Sequence, residues 1–319
     1  MRLGILSTVA AACLLACTRN DTPGHLEKAR DALFLRKYDV ALAEYKLTLD
    51  ALERDGSPEA ALYRARALRG AADVYALHLK DTRRAVEVYR ELITLCPEAP
   101  ETLEGRLHLA ELLWHDYRDL RGAIAEYTAA LARNPPQSAE LSFTVARLYF
   151  ELQDYSQCEL EADKVARKYE TSAYVDDALY LRGQALSMME GRKADAQRVF
   201  SDLLDRFPDS PMQALALVEL GRIKADGGDA EGAIELWVRA LSRHPTPTAV
   251  QKQISLARER LRNTTPRGVG DAVTAFDRDR PYVGTRVPKT SAEAVGGTEE
   301  EARAEETMPA EGAAPPPQE

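Results

Sequence analysis

Small residues return along the chain in a fixed frame. They stand at Ala29, Ala72, Ala110, Ala146, Gly183 and Gly221, and twelve or thirteen residues later at Ala41, Ala85, Ala123, Cys158, Ala196 and Ala233. Four residues beyond the second set come Tyr45, Tyr89, Tyr127, Ala162, Phe200 and Trp237, and eight further on Glu53, Pro97, Pro135, Glu170, Pro208 and Pro245. Small side chains let two antiparallel helices approach closely, an aromatic fills the space beside them, and a proline stops the second helix. In 217–245 the Gly227-Gly228-Asp229 turn separates two such helices. The pattern predicts six helix hairpins starting near 22, 65, 103, 139, 176 and 214, with the extra residues lying between repeats. Residues 248–262, TAVQKQISLARERLR, read as an amphipathic helix covering the last hairpin, as a stacked array requires.

The spacing of Gly221, Ala233, Trp237, Ala240 and Pro245, repeated upstream, resembles the tetratricopeptide repeat over roughly 22–262. The resemblance implies an all-α fold: a right-handed α-solenoid of about six hairpins with a C-terminal capping helix and a concave groove that grips protein segments. The inter-repeat stretches 167–186 and 205–223 look like those of tetratricopeptide proteins of the Gram-negative envelope. That group includes the lipoprotein of the β-barrel assembly machine and the Tol–Pal-associated periplasmic protein.

On the first helix of each repeat, positions 4, 7, 8 and 11 face the second helix, and positions 2, 5, 9 and 12 form a separate stripe. In tetratricopeptide solenoids that stripe lines the groove. Here it carries Arg66, Arg69 and Asp73 in repeat 2, then Glu104, Leu107, Glu111 and Trp114 in repeat 3. Phe143, Arg147 and Phe150 follow in repeat 4, Tyr180 and Gln184 in repeat 5, and Arg222 in repeat 6. Aromatic and arginine side chains supply most binding hot spots, so a groove centred on repeats 3–5 is expected to hold an extended or helical segment. Trp114 and Phe150 end their helices and would equally suit packing against the next repeat.

The N-terminus reads differently. Arg2 precedes an apolar run, Leu3–Ala16, of 14 residues, which is shorter than the roughly 20 needed to span a bilayer. Its end, Leu14-Leu15-Ala16-Cys17, resembles the bacterial lipobox. That resemblance implies a signal peptide over 1–16, lipid attachment at Cys17 and, with Thr18 in place of Asp, sorting to the periplasmic face of the outer membrane. Cleavage near Ala10–Ala12 is the alternative and would give a soluble periplasmic adaptor. Residues 17–24 then form a lipidated tether and 25–262 the solenoid.

Charge is concentrated at the other end. The formal net charge is −9, and 291–319 hold eight carboxylates against one arginine. The rest is close to balanced, so there is no basic footprint for nucleic acid. Residues 263–319 are rich in Gly, Pro and charge and are expected to be disordered. Within them TAFDRDRPYVGTRVP (274–288) could be a linker or could dock on the solenoid or a partner.

Nothing in the chain advertises catalysis. His25, His78, His108, His115 and His244 lack zinc-ligand spacing, and no phosphate loop or nucleophile elbow is present. No enzyme activity, cofactor, metal or small-molecule substrate is expected. Cys96 and Cys158 lie two repeats apart, too far for a disulfide, and are expected to be separate thiols. The partners expected are other envelope proteins, in β-barrel assembly, a secretin or pilus, Tol–Pal or a motility machine, with the membrane reached through the lipid.

Overall fold

The computed structural model describes residues 21–264. Cys17 and the expected tail beyond Thr264 lie outside them. Among the described residues the fold is all-helical, and consecutive helices pair as hairpins. The first three pairs are α1 (Thr22–Phe34) with α2 (Tyr38–Ala51), α3 (Pro58–Asp73) with α4 (Thr82–Leu95), and α5 (Pro100–His115) with α6 (Leu120–Leu131). The next three are α7 (Ser138–Glu151) with α8 (Tyr155–Lys168), α9 (Val175–Met188) with α10 (Lys193–Arg206), and α11 (Met212–Asp226) with α12 (Ala230–Ala240). Helix α13 (Pro247–Thr264) closes the array, burying Val250, Ile254 and Ala257 against Ala233 and Trp237.

The small positions of the frame sit where two helices nest. Ala29, Ala72, Ala110 and Ala146 are fully buried, and so are all six residues of the second set. Closeness is most demanding in the last two repeats. A Cβ on Gly221 would lie 2.4 Å from Trp237 Nε1, and one on Gly183 would lie 2.5 Å from the Phe200 ring. In these two repeats the Phe200 and Trp237 rings press directly on the backbone of the first helix, which leaves room only for glycine, where the tyrosine repeats accept alanine at the same position. Apolar clusters overlap from one hairpin to the next: one runs from Ala72 to Leu148, another from Ala166 to Ile223. Each repeat thus completes its core with its neighbours, the condition for a solenoid.

The turns inside the hairpins share one chemistry. Each holds a residue at positive φ: Arg36, Lys80, Arg118, Gln153, Gly191 and Gly228. A left-handed residue ends the first helix and frees the next to cap the second. Asp81, Asp119, Asp154 and Asp229 do so, each accepting from a backbone N–H three residues on. The spacing of twelve or thirteen between the small positions also has a cause in these turns. In the twelve-residue repeats 4 and 6, Asp154 and Asp229 donate their N–H back five residues, to Tyr149 and Lys224. In the thirteen-residue repeats 2 and 3, Asp81 and Asp119 donate back six, to Tyr75 and Leu113, and in repeat 2 the π-helical turn Val74–Leu79 absorbs the extra residue.

Two boundaries differ from the pattern. Helix α3 starts at Pro58, two turns before the repeat frame, because Ser57 caps it and Pro58 suits a first helical position. The surplus of repeat 2 therefore lengthens a helix as well as the loop. Helix α1 starts at Thr22, capped by Asp21, so only Thr18–Asp21 separate Cys17 from the solenoid, a reach of at most about 15 Å.

Candidate partner-binding groove

Successive first helices touch: α1 meets α3, α3 meets α5, α7 meets α9, and α9 meets α11, while the second helices make no comparable contact with one another. The first helices are thus the inner row, and the predicted stripe lies along it.

Between repeats 2 and 3, the Arg69 guanidinium lies 3.5 Å from Asp73 and pairs closely with Glu104 of the next repeat. The Tyr89 hydroxyl donates to Asp73 at 2.6 Å. Burial, reinforced by that carboxylate, pushes the Tyr89 phenol far above its ordinary value. Arg66 reaches Glu101 at 3.2 Å. Half-buried Leu107 packs on the core, whereas Glu111 stays exposed, and burial with help from its charge pushes the Tyr127 phenol up to about 12.

Trp114 is only 8% exposed. Its indole N–H donates to Glu151 at 3.2 Å, Arg147 sits 5.4 Å above the ring, and His115 stacks at 4.4 Å. This tryptophan joins repeats 3 and 4, and its polar neighbours, more than its ring, meet solvent. Phe150 packs edge-on to Tyr155 at 5.4 Å, near its own hairpin turn. Phe143 is half-buried against Tyr174, with ring centroids 5.8 Å apart. In repeat 5, Gln184 donates to the Tyr180 hydroxyl at 3.0 Å, and burial raises that phenol to about 12, with Glu219 adding to the shift. Arg222 is held by Glu219 at 2.7 Å.

The structure also brings out two residues missing from the predicted stripe, Glu140 and Asp177. Position 2 is a carboxylate in three consecutive repeats: Glu104, Glu140 and Asp177. The signal was present in the frame, since Glu140 and Asp177 occupy the repeat position of Glu104. Arg69 takes up Glu104 as well as Asp73, Arg222 is held by Glu219, and Arg147 lies on the Trp114 ring, so the carboxylates of this position left without an ion pair to a described residue are Glu140 and Asp177. Burial, then the charge of Asp176, pushes the Asp177 carboxyl up, against the pull of Arg147. Its ionisation therefore costs the folded chain nothing below the ordinary carboxylate value of about 3.9 and the full penalty above the raised one. Asp177→Asn is expected to raise the thermal midpoint at neutral pH, with the gain vanishing as pH falls below that ordinary value. An unchanged or lower midpoint at neutral pH contradicts the assignment.

Cys96 and Cys158 are both buried and unbridged. Burial raises the Cys96 thiol and pushes Cys158 up to about 12, which leaves both as unreactive core groups. Among the described residues, no three His, Cys, Asp or Glu side chains converge as a metal set, and no helix is long and apolar enough to cross a membrane.

A tetratricopeptide repeat model matches residues 26–100, 116–173 and 190–246, more than half of the chain. No curated protein matches the sequence significantly. Several solved structures are similar. The C-terminal part of a TPR repeat-containing protein from Cytophaga hutchinsonii has a TM-score of 0.52 at 14% identity, over 77% of this chain and 92% of that one. Naa15/Naa10 bound to HypK-THB also gives 0.52 at 14% identity, over 81% of this chain and 37% of the other. PilW, a type IV pilus biogenesis factor, gives 0.42 at 18% identity, over 72% and 97%. At such identities the likeness is one of fold. Repeat frame, nested hairpins and family match agree: the chain belongs to the tetratricopeptide-repeat family.

Proposed function

We propose that this protein is a lipid-anchored scaffold of the Gram-negative envelope that holds a basic segment of another envelope protein along the inner row of repeats 3–5. The protein-binding role follows from the family. The observation that carries the finer reading is the pair Glu140 and Asp177, one on each of two successive first helices, beside the half-buried rings of Phe143 and Tyr180. Aromatic rings offer contact area at low entropic cost, and a carboxylate that is costly to ionise in the free protein gains most when a cation arrives. A segment alternating Lys or Arg with apolar side chains matches both.

The anchor reading rests on the apolar run ending at Cys17. It places the scaffold at the periplasmic face of the outer membrane, and the short tether favours a partner embedded in or close to that membrane. β-Barrel assembly, a secretin or pilus, Tol–Pal and a motility machine all present such partners. The second reading, a soluble periplasmic adaptor, requires cleavage before Cys17. Metabolic labelling with a palmitate analogue separates the two: label on the wild type and none on Cys17→Ala supports the anchor, whereas an unlabelled wild type supports the adaptor. For the groove, pull-down from native envelopes should recover a partner with wild type and lose it with Phe143→Ala. Equal recovery by the folded variant removes the groove reading.

A further inference from the structure

The turn edge of the first two repeats carries large apolar side chains that the core does not use. Phe34 is 89% exposed and Leu35 60%, while Leu77 and Leu79, on the π-helical turn, are 51% and 41% exposed. The two turns are in contact, because Tyr38 stacks on His78 with centroids 4.5 Å apart. Exposed Arg36, Lys37 and Lys80 stand among these tips, and Arg36 and Lys80 adopt positive φ. None of the three cations forms an ion pair with a described residue. The nearby carboxylates are Asp31, Asp39 and Asp81, of which Asp81 caps α4 and pairs with Arg84. Repeat 3 continues the edge with Tyr117 and Arg118, but the turn of repeat 6 is Asp226-Gly227-Gly228-Asp229, with no apolar tip and two acids. The repeat 5 turn also exposes Met188, but its Arg192 and Lys193 pair with Asp195 and Asp226, so the apolar tips with unpaired cations gather towards the N-terminal end, in a chain of formal charge −9.

We infer that this edge rests on the surface of an anionic phospholipid membrane, with Phe34, Leu35, Leu77 and Leu79 entering the headgroup layer and Arg36, Lys37 and Lys80 meeting lipid phosphates. Protruding apolar tips ringed by cations suit an interface of this kind, where apolar burial and attraction to anionic lipid add. Cys17 stands four residues before α1 in the same terminal repeat. Helix α1, about 20 Å long, carries the tether at its start and the Phe34 tip at its end, so both meet one membrane surface with α1 inclined along it. The inference rests on the membrane-scaffold reading and adds an orientation to it: anchor and patch hold repeats 1 and 2 against the lipid and leave repeats 3–5 open to a partner.

The test uses a chain beginning at Thr18. It lacks Cys17 but keeps every described buried residue, since the first of these is Thr22. This chain is expected to co-sediment with vesicles of phosphatidylethanolamine and phosphatidylglycerol and not with phosphatidylcholine alone. Phe34→Ser with Leu79→Ser should weaken the partition at least about tenfold. Lys37→Glu with Lys80→Glu should weaken it at least about fivefold for each cation removed. Leu47→Ser, which alters an exposed apolar residue on α2 away from the turns, should change nothing. Equal binding to the neutral vesicles, no binding by the wild type, or binding unaffected by both patch pairs overturns the inference. Palmitate labelling at Cys17 is read separately, so a failed patch leaves the anchor reading standing.

Discussion

Phe200→Ala is expected to cost about 3–5 kcal/mol and to break the cooperativity of the solenoid. Phe200 is wholly buried, lies over the bare backbone of Gly183 and tilts against Tyr180 at 5.9 Å. It also belongs to the cluster that joins Leu186 and Leu203 to Leu220 of the next repeat. No side chain at Gly183 can move into the space left by the ring, so the cavity persists and the junction between repeats 5 and 6 is weakened. Because each repeat leans only on its neighbours, the loss should appear at the C-terminal end first. The two tryptophans report on this separately, Trp114 in repeat 3 and Trp237 in repeat 6. With single-tryptophan chains, urea should unfold the Trp237 signal of the Phe200→Ala variant clearly before the Trp114 signal, while in the wild type the two coincide more closely. Equal shifts of both signals, or a loss below about 1 kcal/mol, would contradict the nearest-neighbour account of the core.

The second large effect concerns binding. Reversing Glu140 and Asp177 to lysine should lower affinity for the partner recovered by pull-down at least about a hundredfold, since like charge facing a basic segment costs several kcal/mol. The difference should shrink as salt rises, because screening shortens the range of these charges to about 8 Å at physiological ionic strength. Stability should change little, as Glu140 is exposed and Asp177 is already penalised for its charge, and Glu104 is left in place because it holds Arg69. Unchanged affinity would exclude the acidic pair as the reading surface. Tighter binding would mean that the partner is acidic.

The hairpins were legible because their packing needs are severe. Only alanine, glycine or cysteine fits the nesting positions, and an aromatic or a proline at a fixed distance marks the rest. Local backbone bonding was less visible. Whether a surplus residue lengthens a loop, extends α3 back to Pro58 or winds into a π-helical turn depends on capping and on which carbonyl the next N–H reaches, and hydrophobic spacing does not record that. The inner row was half legible. Phe143, Tyr180 and the arginines fell on the stripe, but a helix-end aromatic such as Trp114 satisfies the stripe and the next repeat alike. Only its contacts with Glu151 and Arg147 show which neighbours take it up. The exposed tips Phe34, Leu77 and Leu79 were not foreseen, because in sequence they continue the apolar pattern of their helices.

Site-specific photo-crosslinking in intact envelopes tests the central claim most directly. A benzophenone side chain at position 143, on the inner row, should capture one discrete partner, and the same group at the exposed outer position Leu160 on α8 should not. The captured segment should be rich in lysine or arginine. Capture at position 160 with none at 143 would contradict the account, because it would put the partner on the outer row of helices.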